Sequence, residues 1–282
     1  MPDLSFLPSL RTVADSHGLR ARRSLGQNFL FDENLLDRIA EQTGDLSQKT
    51  VIEIGPGPGG LTRAMLRAGA NRIIALEKDT RCIAALASLV DAADGHLRVV
   101  EGDALDGGFR DLAGNASVVV GNLPFNIATE LLMHLLESDL EPVRMILMFQ
   151  KEVANRIVAG PGSKAYGRLS VLVQWQCEVK TCFDVPASAF VPAPKVQATV
   201  LRITPRDTPA FPASRTSLQA VTSAAFGQRR KTLRNSLSSA FDDAKAAATK
   251  AGLDPNLRAE AVDLEGFCRL ATVHEQLFSS AG

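Results

Sequence analysis

From residue 50 to about 150, short runs rich in β-branched and aliphatic residues alternate with stretches whose apolar positions recur at helical spacing. Residues 50–54, 72–76, 97–100, 118–120 and 145–149 predict strands, and 61–68, 81–90 and 127–136 predict helices between them. Alternation of this kind implies a parallel sheet covered by helices on both faces, with ligands at the carboxyl ends of the strands. After Phe149 the pattern changes. Residues 151–158 and 169–176 read as helices, and two β-rich runs, 178–185 and 196–203, flank a loop containing Pro186, Pro192 and Pro194. A close antiparallel pair finishing the sheet is the expected arrangement.

Pro205, Pro209 and Pro212 punctuate a linker, and beyond it no strand pattern returns. Residues 214–278 predict three or four helices. The expected organisation is therefore a doubly wound α/β domain over 1–205 and a small all-helical domain over 206–282.

The 282-residue chain carries 31 basic and 31 acidic residues, which excludes a globally basic nucleic-acid binder but not a local basic surface. Cys82, Cys177, Cys182 and Cys268 form no C-x-x-C pair, and His17, His96, His134 and His274 are scattered. Neither a metal site nor a disulfide framework is expected, as fits a protein of the reducing cytoplasm. No apolar run approaches the ~18 residues that a membrane span requires. Arg11, Arg20, Arg22 and Arg23 crowd the N-terminus, but Asp3 and Asp15 interrupt them, so a basic arm near the active site is favoured over a transit peptide. A monomer is expected.

Candidate chemistry clusters at the ends of the predicted strands. The first runs into Gly55-Pro56-Gly57-Pro58-Gly59-Gly60, in which Gly55, Gly57 and Gly60 satisfy G-x-G-x-x-G, the spacing that lets backbone pass close to a bound nucleotide. The second ends at Glu77, placed to accept from both hydroxyls of a ribose; this pairing serves a nicotinamide cofactor and S-adenosylmethionine equally. Asp103 follows the third strand. Alone it reads as a helix cap or Asx-turn; in series with its neighbours it reads as an acceptor for an adenine amino group.

The most informative stretch is Asn122-Leu123-Pro124-Phe125-Asn126, directly after the apolar run 118–120. An aromatic amine delocalises its lone pair into the ring and must localise it before attacking an electrophile. The Asn122 amide oxygen and the carbonyls of Leu123 and Pro124 are acceptors for its two N–H bonds, and Phe125 offers a face for a base taken out of its helix. The competing reading is a turn at a strand end. Upstream, Leu25-Gly26-Gln27-Asn28-Phe29-Leu30 is too short and polar for a core strand and reads either as a loop with one hydrophobic anchor or as a lid whose Asn28 and backbone reach the cofactor.

In order and spacing, these segments resemble the rRNA adenine N6-dimethyltransferases. Phe190-Val191-Pro192-Ala193-Pro194-Lys195-Val196 is similar to a later motif of that family. The stretch from Phe226 to Leu237 is similar to its housekeeping, kasugamycin-sensitivity branch, which modifies the small subunit. The chain departs from the family in having Phe125 where many members have tyrosine, and in Pro58 within the glycine loop. The resemblance implies a class I methyltransferase fold with S-adenosylmethionine held around Asn28, Leu30, Gly55, Gly57, Glu77, Asp103 and Asn122. It further implies dimethylation of two adjacent adenosines in the 3′-terminal hairpin loop of 16S rRNA, within the small subunit or its precursor, and RNA contacts from Phe190 and Lys195. Between Arg215 and Phe241 lie five basic residues and no acidic one; Arg229, Arg230, Lys231 and Arg234 are expected to crowd one or two helical turns, a repulsion that a phosphate backbone would relieve. The rivals are a large-subunit methyltransferase of the macrolide-resistance type, a dehydrogenase that would leave Asn122–Phe125 without a role, and a ribosome-assembly or transcription factor that binds without catalysis.

Overall fold

The computed structural model describes residues 2–20, 26–107, 117–138 and 140–279. The chain divides into two compact units, 1–154 with 180–205, and 155–179 with 206–282.

In the larger unit, α1 (Leu10–Ser16), β1 (Phe29–Leu30) and α2 (Glu33–Ala40) precede the alternating core of β2 (Thr50–Ile54), α3 (Gly60–Arg67), β3 (Arg72–Glu77), α4 (Thr80–Ala85), α5 (Ala87–Ala92), β4 (Leu97–Glu101), β5 (Ser117–Gly121), α6 (Ala128–Glu137) and β6 (Arg144–Gln150). α7 (Lys151–Val158) and α8 (Arg168–Gln176) follow, then β7 (Cys177–Val185), β8 (Phe190–Val191) and β9 (Ala198–Pro205). The predicted helix over 81–90 is two short helices that meet at Leu86.

Seven strands form one sheet in the order β4-β3-β2-β5-β6-β9-β7. The first five are mutually parallel, β9 runs antiparallel to β6, and β7 takes the edge beside it. The central runs are apolar without alternation because both faces are covered: Val118, Val119 and Val120 of β5 are fully buried. At the β4 edge the pattern reverts to one buried face, with Leu97 inside and Arg98 out. The chain leaves β2 towards β3 on one side and reaches β5 on the other. This reversal opens a crevice at the carboxyl ends of β2 and β5, where doubly wound sheets take their ligands.

The smaller unit contains α8, α9 (Arg215–Gly227), α10 (Leu233–Ser236), α11 (Ala244–Lys250) and α12 (Leu264–Ser279). The break expected at residue 205 thus misses 155–179, which group with the helical part of the chain. The physical reason lies in α8, whose apolar residues are not confined to one stripe and must be enclosed on more than one side: Leu169, Val171, Leu172, Val173 and Trp175 are buried. Trp175 Nε1 donates to the Phe211 carbonyl at 2.9 Å, and Tyr166, Phe226 and Phe267 stack in series at 5.9 and 5.2 Å.

Candidate active site

A cleft of about 950 Å³, open to solvent, lies over the carboxyl ends of β2, β3, β4 and β5, and every expected donor-binding position lines it: Asn28, Leu30, Gly55, Gly57, Glu77, Asp103 and Asn122. Gly57 has φ +56, and a Cβ there would meet the Phe29 ring at 3.1 Å. The glycine therefore lets the loop turn and lets the aromatic ring close over it.

Glu77 is buried at the end of β3. Its Oε2 accepts from the Gly57 amide at 3.2 Å, and its Oε1 accepts from the amides of Lys78 and Asp79, both at 2.9 Å. Three of the roughly four acceptor positions of a carboxylate are thus engaged. One remains for a hydroxyl, and a second is released if the long Gly57 contact yields. Burial pushes the Glu77 carboxyl above the usual carboxylate range, against the pull of those amides. Asp103, on the cleft lining, takes the Asx-turn reading with one oxygen, Oδ1 accepting from the Leu105 amide at 3.1 Å, while Oδ2 pairs with Lys78 Nζ at 3.1 Å.

One acid in the cleft went unassigned from the sequence. Glu53 interrupts the apolar β2, is 1% exposed, and accepts from Thr62 Oγ at 2.6 Å. Burial raises its carboxyl to about 7, with the Glu77 charge adding to the shift. A charged residue inside an otherwise continuous buried strand was the available signal.

At the end of β5, Asn122 Nδ2 donates to the Asn28 carbonyl at 2.8 Å. That bond fixes which end of the amide is nitrogen and leaves Oδ1 as the free acceptor. The Leu123 side chain is buried, so only its backbone is offered. The Pro124 carbonyl already accepts from the Ile127 amide at 3.1 Å and keeps one lone pair. Phe125 is half-buried and meets the Phe190 ring edge-on, 6.2 Å between centroids.

The predicted lid is tied down on both sides. Phe29 and Leu30 form a two-stranded sheet with Val191 and Phe190. Gly26, at φ +62, packs so closely against Asn126 and Pro124 that a Cβ would overlap the Asn126 side chain. Leu25, Arg22 and Arg23 lie outside the described residues. Within the basic arm, Arg11 sits 5.2 Å over the Phe31 ring, at the end of this lid.

Two expectations for RNA contacts are corrected. Phe190 is 2% exposed and packs edge-on with Phe125, so its ring offers no open face for a base to stack on; Lys195 of the same motif is exposed. The basic residues of the smaller unit do not crowd a helix: α9 ends at Gly227, and 229–231 follow in a turn, with only Arg234 on the four-residue α10. Arg229 donates to the carbonyls of Lys164 and Tyr166, both at 3.0 Å, and lies 3.8 Å from Glu260. It anchors a loop. Arg230, Lys231 and Arg234 are exposed.

Among the described residues no cluster of three or more His, Cys, Asp or Glu side chains is arranged to hold a metal ion, and no helix is long and apolar enough to cross a membrane.

Comparison with known proteins agrees with this geometry. The family model for ribosomal RNA adenine dimethylase matches residues 18–276. The chain is 56% identical over 265 residues to a ribosomal RNA small subunit methyltransferase A of Rhodospirillum rubrum, covering 94% of this chain and 92% of that one. It is 53% identical to the protein of that name from Xanthobacter autotrophicus, covering 100% of this chain and 99% of the other. Among solved structures it resembles a dimethyladenosine transferase from Plasmodium falciparum, at 25% identity and TM-score 0.78 over 88% of this chain and 98% of that one. The fold also matches the 23S rRNA methyltransferase ErmE, at 24% identity and TM-score 0.68 over 88% of this chain and 100% of that one.

Proposed function

The chain belongs to the ribosomal RNA adenine dimethylase family, and on that premise we propose that it dimethylates N6 of two adjacent adenosines in the 3′-terminal hairpin loop of 16S rRNA, acting on the small ribosomal subunit or its precursor. The observation that carries the reading is the Asn122 amide, held by the Asn28 carbonyl with its oxygen free at the rim of a nucleotide cleft. A dehydrogenase has no use for such an acceptor beside a half-exposed aromatic ring. A small-subunit substrate is favoured over a large-subunit one by the 56% and 53% identity, over nearly the whole chain, to relatives named for the small subunit.

The cleft fits S-adenosylmethionine: a buried carboxylate with acceptor capacity left, a glycine turn closed by an aromatic ring, and a second carboxylate one strand away. The donor supplies a methyl group on a sulfonium, already a strong electrophile. Glu77 would hold the ribose and Asp103 the adenine of that donor. Asn122 Oδ1 and the carbonyls of Leu123 and Pro124 would accept from the two N–H bonds of the target amine, drawing its lone pair out of the ring, and Phe125 would stack on the base. The protein's contribution is positioning and exclusion of water, and among the described residues no side chain in the rim is placed as a dedicated general base. Arg230, Lys231, Arg234 and Lys195 would meet phosphates.

The test is incubation with labelled S-adenosylmethionine and, separately, undermodified small subunits, large subunits and free 16S rRNA, followed by mapping of modified nucleosides. Label in N6,N6-dimethyladenosine of the 3′ hairpin of small subunits is expected. Label confined to large-subunit rRNA, or no transfer to any of the three, would overturn the assignment.

A further inference from the structure

Gln27 and Asp79 hold no role in the scheme above, yet they join the two ends of the cleft. Asp79 follows the ribose-side carboxylate by two residues, and its own amide donates to Glu77 Oε1 at 2.9 Å. Its side chain is 3% exposed and caps α4 through the Arg81 amide at 3.1 Å. It is gripped by the Arg81 guanidinium at 2.6 and 3.0 Å. Gln27 Nε2 donates to the remaining face of this carboxylate, at Oδ2, 3.0 Å away. The next residue, Asn28, presents its carbonyl to Asn122 Nδ2 at 2.8 Å, and the preceding one, Gly26, rests on Pro124 and Asn126.

We propose that Gln27 is a positioning residue for methyl transfer: its bond to Asp79 pins the 26–28 turn so that the Asn28 carbonyl aims the Asn122 amide at the target amine. The proposal rests on the reading of Asn122 given above. The turn is fastened to the base side by packing at Gly26, and Gln27 is its polar fastening to the donor side. Asp79 is suited to be the fixed post, because Arg81 holds its carboxyl down at about 2 and it stays ionised throughout the working range. A hydrogen bond to such a charge is worth roughly ten- to a hundredfold in the equilibrium between pinned and released turn. Gln27 acts at one remove, since its Nε2 donates to Asp79 Oδ2 and it is the carbonyl of the next residue, Asn28, that holds Asn122.

Two substitutions separate a donor from a space-filler. Gln27→Met keeps length and bulk and loses the N–H; Gln27→Lys keeps a donor of similar reach. On undermodified small subunits, Gln27→Met is expected to lower kcat about tenfold, the lower end of that range, with little change in KM for S-adenosylmethionine and an unchanged melting temperature. Gln27→Lys is expected to recover most of the loss. In an Asn122→Ala background, Gln27→Met should cost nothing further. Wild-type turnover in Gln27→Met, equal impairment of the Met and Lys variants, or a change confined to KM would each overturn the positioning role. A full additional loss in the Asn122→Ala background would show that Gln27 does not act through Asn122. If Asn122→Ala alone turns over like wild type, the reading of the tetrad fails first; if it is crippled while Gln27→Met is not, only the pin fails.

Discussion

Glu53→Gln is predicted to stabilise the protein above neutral pH and to leave it nearly unchanged in mild acid. The native carboxyl is raised to about 7 from an ordinary value near 4.5, chiefly by burial under the glycine loop, with the Thr62 hydroxyl pulling the other way. The folded state therefore binds the proton more tightly than the unfolded chain. Between those two values native protein carries more protons, so stability falls as pH rises, and the loss is complete above about 7. A gap of about two and a half pH units corresponds to roughly 3 kcal/mol. Glutamine removes the ionisation while its carbonyl oxygen still accepts from Thr62 Oγ, so the variant should match wild type near pH 5 and exceed it by up to that amount at pH 8. Denaturant unfolding of both proteins at intervals from pH 5 to 8 measures the difference directly. Ligand binding offers an independent reading of the same group: a cationic ligand in the cleft favours ionised Glu53, so the affinity of wild type for S-adenosylmethionine should rise with pH through 7, and that of the variant should rise less. Parallel stability curves for the two proteins across this window would refute the buried, proton-holding Glu53.

Glu77→Ala should weaken S-adenosylmethionine binding by ~1.5–3 kcal/mol for each ribose hydroxyl that no longer finds its acceptor, with the fold retained; calorimetric titration at unchanged affinity would remove Glu77 from the ribose site. Phe125→Tyr should keep most activity, whereas Phe125→Ala should lose stacking worth ~1–3 kcal/mol; wild-type turnover in a folded Phe125→Ala protein would make the ring a packing residue alone. Replacing Arg230, Lys231 and Arg234 by glutamine should flatten the salt dependence of ribosomal-substrate binding by roughly 0.7–0.9 for each phosphate no longer neutralised and leave S-adenosylmethionine affinity unchanged; parallel slopes would take this turn off the RNA surface.

The alternation of strands and helices, and the polar residues at their ends, were legible because both follow from local rules: apolar runs covered on both faces, and glycine where backbone must turn under a ligand. The strands read over Leu97 to Val100 and Thr50 to Ile54 needed no knowledge of their neighbours. The fate of residues 155–179 did need it, because an apolar helix states that it will be enclosed and not by which partner; the groups that receive Trp175 and Tyr166 stand about 36 and 60 positions later in the chain. Phe190 was misread for a related reason. The family resemblance assigns a role to the motif without saying which of its side chains is enclosed, and the pairing of Phe190 and Val191 with Leu30 and Phe29 decides that for Phe190.

Charge misled in the same way at Arg229. Its neighbours in sequence are basic, which suggests a uniform patch, but the side chain reaches two carbonyls near residue 165, so part of its donor capacity is already engaged within the protein. Composition reports how many cations a segment holds; hydrogen-bond partners decide how many are unspent. The cleft obeys the same logic with the opposite outcome. Asn122 was identified as an acceptor from its position alone, but an amide can present either end to a ligand. The partner that settles the matter, the Asn28 carbonyl, lies 94 residues away, in a turn that sequence could describe only as a lid. What orients the tetrad is therefore non-local: the turn that lines the cleft is also the one whose carbonyl fixes the Asn122 amide, so the direction in which Oδ1 is presented depends on a segment far upstream in the chain.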